Sequence, residues 1–209
     1  MAKLRIEKDP EHLMARLKGR LPDQRRVAGV DLGTNCGIAW CDYDKNTPVA
    51  EALIMAGQWD LSVAGYETNP LRHIRLKQFL SVLQPDLVGF EDVKYTPDKE
   101  SFGGKPIGMI VARVASAAEL LGGFKITLTT WAEERGIPAQ GFAIGSIKKF
   151  ATGKGNAGKE AMIKAANDRY GCDLDHLNYK TTGADNIADA MHVCAMVLER
   201  YAKGLFDAT

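Results

Sequence analysis

The sequence predicts an α/β domain, a mixed sheet flanked by helices, and three observations carry that prediction. Short β-branched or aromatic runs, such as residues 27–30 and 87–90, alternate with stretches whose apolar residues recur at helical spacing, the clearest being 187–198. The elements follow one another as three strands, helix, strand, helix, strand, helix, helix, an order that suits helices packed on a mixed five-stranded sheet. A length of 209 residues, with 45% hydrophobic and 25% charged content, suits one domain with a sizeable core.

Taken in order, residues 1–24 read as a polar, partly helical N-terminal extension that closes at Leu21 and Pro22, and 25–209 read as the domain proper. Residues 27–55 have the pattern of a β-meander: a strand to Asp31, a turn at GTNCG, a strand over 38–43, a turn at DKNTP and a strand over 49–55. An amphipathic helix over 71–84 is closed by Pro85, and the strand that follows ends in Glu91. The segment KYTPDKESFGGKP, rich in Gly, Pro, Lys and Tyr, predicts an exposed loop directly after that acidic strand end. An Ala-rich helix over 107–121 has small residues on several faces, and 124–130 reads as a strand. Residues 143–147 are either a short strand or the lead into a lysine-rich segment. A helix over 159–170 is opened by GKGNAG, and the last helix covers 185–202.

Composition excludes several classes of function. A net charge of +1 rules out a polycation that binds nucleic acid without discrimination. No apolar stretch is long enough to span a bilayer, and the N-terminus lacks the apolar core of a signal peptide, so a cytoplasmic, membrane-free protein is expected. Cys36, Cys41, Cys172 and Cys194 are scattered and fit neither a disulfide framework nor a zinc site.

Against that background four acids stand out: Asp31 in VAGVDLGTNCGIAW, Glu91 in PDLVGFEDV, and Asp185 with Asp189 in GADNIADAMHVCAMVL. Each interrupts an apolar run, where a carboxylate must be paired, protonated or bound to a cation. Alone, each is better explained as a turn former or helix cap. Together they place two strand acids opposite two helix acids that, four residues apart, project from one helical face. Carboxylates without His or Cys partners favour Mg²⁺ or Mn²⁺ over zinc. Two such ions can activate a water and stabilise the leaving oxygen of a phosphodiester. In that scheme Asp31 bridges both ions, Glu91 and Asp189 each complete one shell, and Asp185 orients or completes the set.

Between Glu91 and Asp185, the segment GSIKKFATGKGNAGKEAMIK sets Lys148, Lys149, Lys154, Lys159 and Lys164 against Glu160 alone. Lys159 is expected at the scissile phosphate or its neighbour, and Lys148, Lys149 and Lys154 on the flanking backbone. Tyr95 and Phe102 either stack on bases or pin their own loop. His192, between Met191 and Val193, reads as a packed helix residue rather than a ligand.

With these residues in view, the chain resembles the RuvC-type Holliday junction resolvases of the RNase H-like (retroviral integrase) superfamily, particularly the divergent versions carried by phages. The resemblance runs from about Val27 to Ala202. GVDLGTNCGIAW resembles the family's first-strand motif and GFEDV its second acidic strand; SIKKFATGKGNAGKEAMI resembles its lysine segment and DNIADAMHVCAMVL its terminal acid helix. It implies an RNase H-like fold with the first three strands antiparallel. It also implies a homodimer, with the 107–121 helix a natural dimer element, that makes paired nicks in a four-way DNA junction with two Mg²⁺ or Mn²⁺ per site, in the cytoplasm of a bacterium or phage-infected host. Carried over by residue, Asp31, Glu91, Asp185 and Asp189 are the metal ligands and Lys159 the active-site lysine. One departure is visible: the family's fourth ligand usually lies three residues before the last Asp, a position held here by Asn186, with Asp185 four before. Asp185 is preferred because an anion binds Mg²⁺ better than an amide does.

Other readings remain. The same fold serves nucleases acting on flaps, other branched DNA or RNA–DNA hybrids, because substrate choice lies in loops and dimer geometry. DLGTN also resembles the first phosphate motif of the actin and sugar-kinase ATPases, but the chain is short for their duplicated domain and lacks their second phosphate loop. A non-catalytic junction binder would not need all four acids.

Overall fold

A computed structural model of the chain describes residues 5–7, 17, 20–92, 107–175 and 183–206. Its strands are β1 (Arg5–Glu7), β2 (Arg25–Asp31), β3 (Asn35–Tyr43), β4 (Met55–Asp60), β5 (Leu87–Glu91) and β6 (Ala139–Phe142). Its helices are α1 (Pro70–Leu83), α2 (Ile107–Glu133), α3 (Ile144–Thr152), α4 (Lys159–Tyr170) and α5 (Ala184–Ala202). The strands form one mixed sheet in the order β1-β4-β3-β2-β5-β6. β2, β3 and β4 are the expected antiparallel meander, and β5 and β6 extend it in parallel with β2. To these five strands the N-terminal extension adds β1 as a parallel edge strand beside β4. The helical part expected of that extension falls on residues outside those described.

Strand alternation sorts the side chains onto two faces. Val27, Ala39, Cys41, Tyr43 and Leu87 pack with α5, α4 and α3. Ala28, Val30, Ile38, Trp40, Val88 and Phe90 point the other way, into a core with Trp59, Phe79, Phe124, Leu128 and Trp131. There the rings of Trp59 and Phe79 stack 4.8 Å apart.

Two strand expectations are corrected. The third strand lies at Met55–Asp60 rather than 49–55, because Val49–Glu51 closes into a 3-10 turn, with Ala52 N–H donating to the Val49 carbonyl. The apolar run that suggested a strand leaves Leu53 74% exposed, whereas Trp59 is fully buried. Residues 124–130 are helical, the continuation of α2, and the strand is Ala139–Phe142. The β-branched run KITLTT favours a strand locally, but Phe124, Leu128, Trp131 and Ala132 recur at helical spacing and all are buried. Thr127 and Thr129 satisfy their hydroxyls on the carbonyls of Gly123 and Lys125, four residues back. The open choice at 143–147 resolves as the first turn of α3.

Candidate metal centre

β2 and β5 run parallel side by side with Val30 opposite Phe90, so Asp31 and Glu91 leave the sheet at adjacent carboxyl ends. Both lie on the face that carries α5: Asp31 shares it with Val27 and Gly29, and Glu91 with Leu87 and Gly89. The helix sits unusually close to the sheet. A Cβ on Gly29 would lie 2.2 Å from the Cys194 amide nitrogen and 2.4 Å from the Ala190 carbonyl oxygen, and one on Gly37 would lie 2.0 Å from the Asn186 carbonyl oxygen. Only glycine permits this backbone-to-backbone approach at those two positions. The first turns of α5, carrying Asp185 and Asp189, are thereby laid over the ends of β2 and β3.

Asn186 fixes the start of the helix, its side-chain amide donating to the Asn35 carbonyl at 2.7 Å. Asp185 is buried, and its carboxylate is paired with the ammonium of Lys159, the first residue of α4. The sequence left Asp185 and Asn186 as competitors. Here the amide latches α5 to β3, while the carboxylate contributes to the field on Asp31 and Asp189.

The acids burden one another. The Asp31 carboxyl is held well above the usual range, first by burial and then by Glu91, Asp189 and Asp185, with Lys159 opposing. Asp189 is pushed up to about 7 by burial, Glu91 and Asp185, against Lys148 and Lys159. Burial raises Glu91, and Lys148 opposes it.

Of the lysines expected on DNA, Lys159 and Lys148 therefore belong to the centre itself. Lys148 arrives there because β6 ends with Phe142 opposite Glu91 and α3 begins two residues later. With the fifth strand read at 124–130, this proximity was invisible in the sequence. Lys149 and Lys154 are exposed. Tyr95 and Phe102 lie outside the described residues. His192 is the packed residue expected: Nε2 lies 3.2 Å from the Met162 carbonyl, so it carries the proton, and Nδ1 accepts from the Tyr170 hydroxyl at 3.1 Å. Gly29, Gly37 and Asn186 act in positioning, and the sequence reading had assigned them no such role.

Among the described residues, no three acid, His or Cys side chains already surround a single point as ligands. The donor set nevertheless fits a hard divalent cation. It consists of carboxylates alone, their mutual repulsion favours any added positive charge, and Oδ1 of Asp189 is buried without a hydrogen-bond partner among the described residues.

No protein-family model matches the chain, and no curated protein does either. Among solved structures, T. thermophilus RuvC in complex with a Holliday junction substrate superposes with a TM-score of 0.61 at 18% identity, covering 88% of this chain and 99% of that one. A second Thermus thermophilus RuvC structure gives 0.57 at 16% identity over the same shares. The likeness is one of fold, the RNase H-like sheet and helices of RuvC.

Proposed function

We propose that the chain is a divalent-metal-dependent, structure-selective DNA endonuclease that resolves four-way junctions by paired symmetric nicks. The observation that carries this reading is the gathering of Asp31, Glu91, Asp185 and Asp189 at the carboxyl ends of two adjacent parallel strands, on the fold of a protein solved with a Holliday junction.

Asp31, Glu91, Asp185 and Asp189 would together hold the two Mg²⁺ or Mn²⁺ ions. When bound, the ions supply an activated water and charge stabilisation of the leaving oxygen. The chain's own residues do the rest. Asp31 and Asp189 hold protons readily in the absence of other positive charge, and give them up as cations enter. Lys159 keeps Asp185 in place, and its ammonium-bearing side chain, 65% exposed, is accessible to a phosphate oxygen. Lys148 tempers the repulsion at Glu91 and Asp189. Lys149 and Lys154 grip the flanking backbone, which makes binding salt-dependent. Two copies in a homodimer supply one nick each.

The test is cleavage of a synthetic four-way junction in Mg²⁺ or Mn²⁺, mapped strand by strand beside linear duplex, flap and RNA–DNA hybrid controls. Symmetric nicks confined to the junction are expected. Preference for a flap or an RNA strand would instead make the chain a nuclease of the same fold with another substrate.

A further inference from the structure

On the side of the sheet away from the lysines, one arginine is placed without the partner its position calls for. Arg72 is the third residue of α1, in a first turn that contains no acid, where the positive end of the helix dipole disfavours a cation. Among the described residues its guanidinium makes a single hydrogen bond, from Nη1 to the Thr34 hydroxyl at 3.1 Å, and it meets no carboxylate. Its Nε is buried and has no acceptor among the described residues. Five other arginines show what the chain does with a structural guanidinium: Arg20, Arg26, Arg75, Arg135 and Arg169 each meet a carboxylate. Arg75, one turn further along α1, pairs with Glu67 at 2.8 Å and also donates to the Ser62 carbonyl.

Thr34, the residue that holds Arg72, lies in the turn that leaves Asp31. Because its oxygen accepts from Arg72, its own proton is free to be donated. The turn is open, since a Cβ on Gly33 would find no atom nearer than the Asn35 carbonyl oxygen at 3.8 Å. An underused fork of N–H donors, a hydroxyl donor and open space beside an acidic strand end together match one ligand chemistry, a phosphate group.

We propose that Arg72 and Thr34 form a phosphate-binding pair that grips the DNA backbone beside the scissile position, from the α1 side of the sheet. Lys148 and Lys159 approach from the α5 side, so the cleaved strand is held between two sets of cations across the end of β2. This rests on the nuclease reading and adds to it a specific backbone contact.

Junction affinity is measured by titration in Ca²⁺, which permits binding without turnover, across a series of salt concentrations, for wild type, Arg72→Gln, Arg72→Lys, Thr34→Val and Lys77→Gln. Lys77 is a charge-matched control on the same helix. Arg72→Gln is expected to bind about tenfold more weakly, with the slope of log affinity against log salt shallower by about one. Arg72→Lys should keep the slope yet lose several-fold affinity because the fork is gone, and Thr34→Val should lose several-fold on its own. If Arg72→Gln does not fold, the lysine and valine variants decide. Losses no larger than that of Lys77→Gln in every folded variant would overturn the pair while leaving the nuclease reading intact. A wild-type protein that binds none of the branched DNAs would overturn both.

Discussion

The two faces of the sheet are built on opposite packing rules. Toward α1 and α2 the strands present large side chains, and Trp59, Phe79, Phe124, Leu128 and Trp131 fill the space between layers. Toward α5 they present Gly29, Gly37, Ala39, Cys41 and Gly89 among the larger Val27, Tyr43 and Leu87, and the helix meets them with Ala184, Ala188, Ala190, Cys194 and Ala195. The first face maximises buried apolar area and so carries stability, at about 25 cal/mol per Å². The second gives up area for backbone-to-backbone contact, which sets the height of α5 over the strands. Both helix acids sit on that second face, so the site is placed by the smallest residues in the core.

The contrast predicts that stability and activity separate by face. The largest effect is expected for Asp31→Asn, which should reduce junction cleavage at least about a thousandfold. Its melting temperature without added metal should hold or rise, because the substitution removes a carboxyl that is ionised in the unfolded chain and whose charge burial and three neighbouring acids disfavour in the fold. A melting temperature that falls with activity would make Asp31 a fold determinant and weaken the comparison.

Next in size, Gly29→Ala drives a methyl into the α5 backbone and should cost about a hundredfold in cleavage, the scale of an ångström's misplacement. Leu80→Ala on the opposite face should instead cost about 2–5 kcal/mol in a denaturant melt, while cleavage per folded molecule stays near wild type. If the two variants lost activity in equal proportion, the division of labour would fail. Within the first turn of α5, Asp185→Asn should reduce cleavage far more than Asn186→Ala. The alanine variant should lose on the order of 1 kcal/mol with its bond to Asn35. The reverse ranking would exchange their roles.

The last comparison concerns pH and sets two residues one turn apart on α5 against each other. Burial holds His192 at about 4, below its value of about 6.5 in an unfolded chain. Between those values the unfolded state takes up a proton that the folded state refuses, so His192 subtracts stability as pH falls from about 6.5 to 4. Asp189, raised to about 7, acts in the opposite sense, because the folded state binds its proton first and gains stability as pH falls below 7. Urea melts without metal from pH 7 to 4 should show His192→Gln gaining on wild type through that window, by on the order of 3 kcal/mol at most. Parallel curves would show that the imidazole titrates as if exposed.

Much of the candidate site was legible before the fold was known. A carboxylate inside an apolar run is costly enough to be read as purposeful, and a four-residue spacing on a helix needs no tertiary information to put Asp185 beside Asp189. The elements that were misread are those where local preference and burial disagree. KITLTT favours a strand by its β-branched residues, yet Phe124, Leu128 and Trp131 are buried only if it is helical. The run before Met55 looks apolar enough for a strand, but the strand forms where Trp59 can be covered.

Alone, the amino-acid sequence determined the element types of the meander and of α5, the four acids and the lysine segment, because these depend on periodicity and on the cost of isolated charge. Only the tertiary structure decided which residues meet. It brought Lys148 to Glu91 through the position of β6, assigned Asn186 to β3 and Asp185 to Lys159, and showed that Gly29 and Gly37 set the distance between helix and sheet. Those outcomes depend on strand register and interlayer spacing, which are properties of the packed layers together and are written in no single segment.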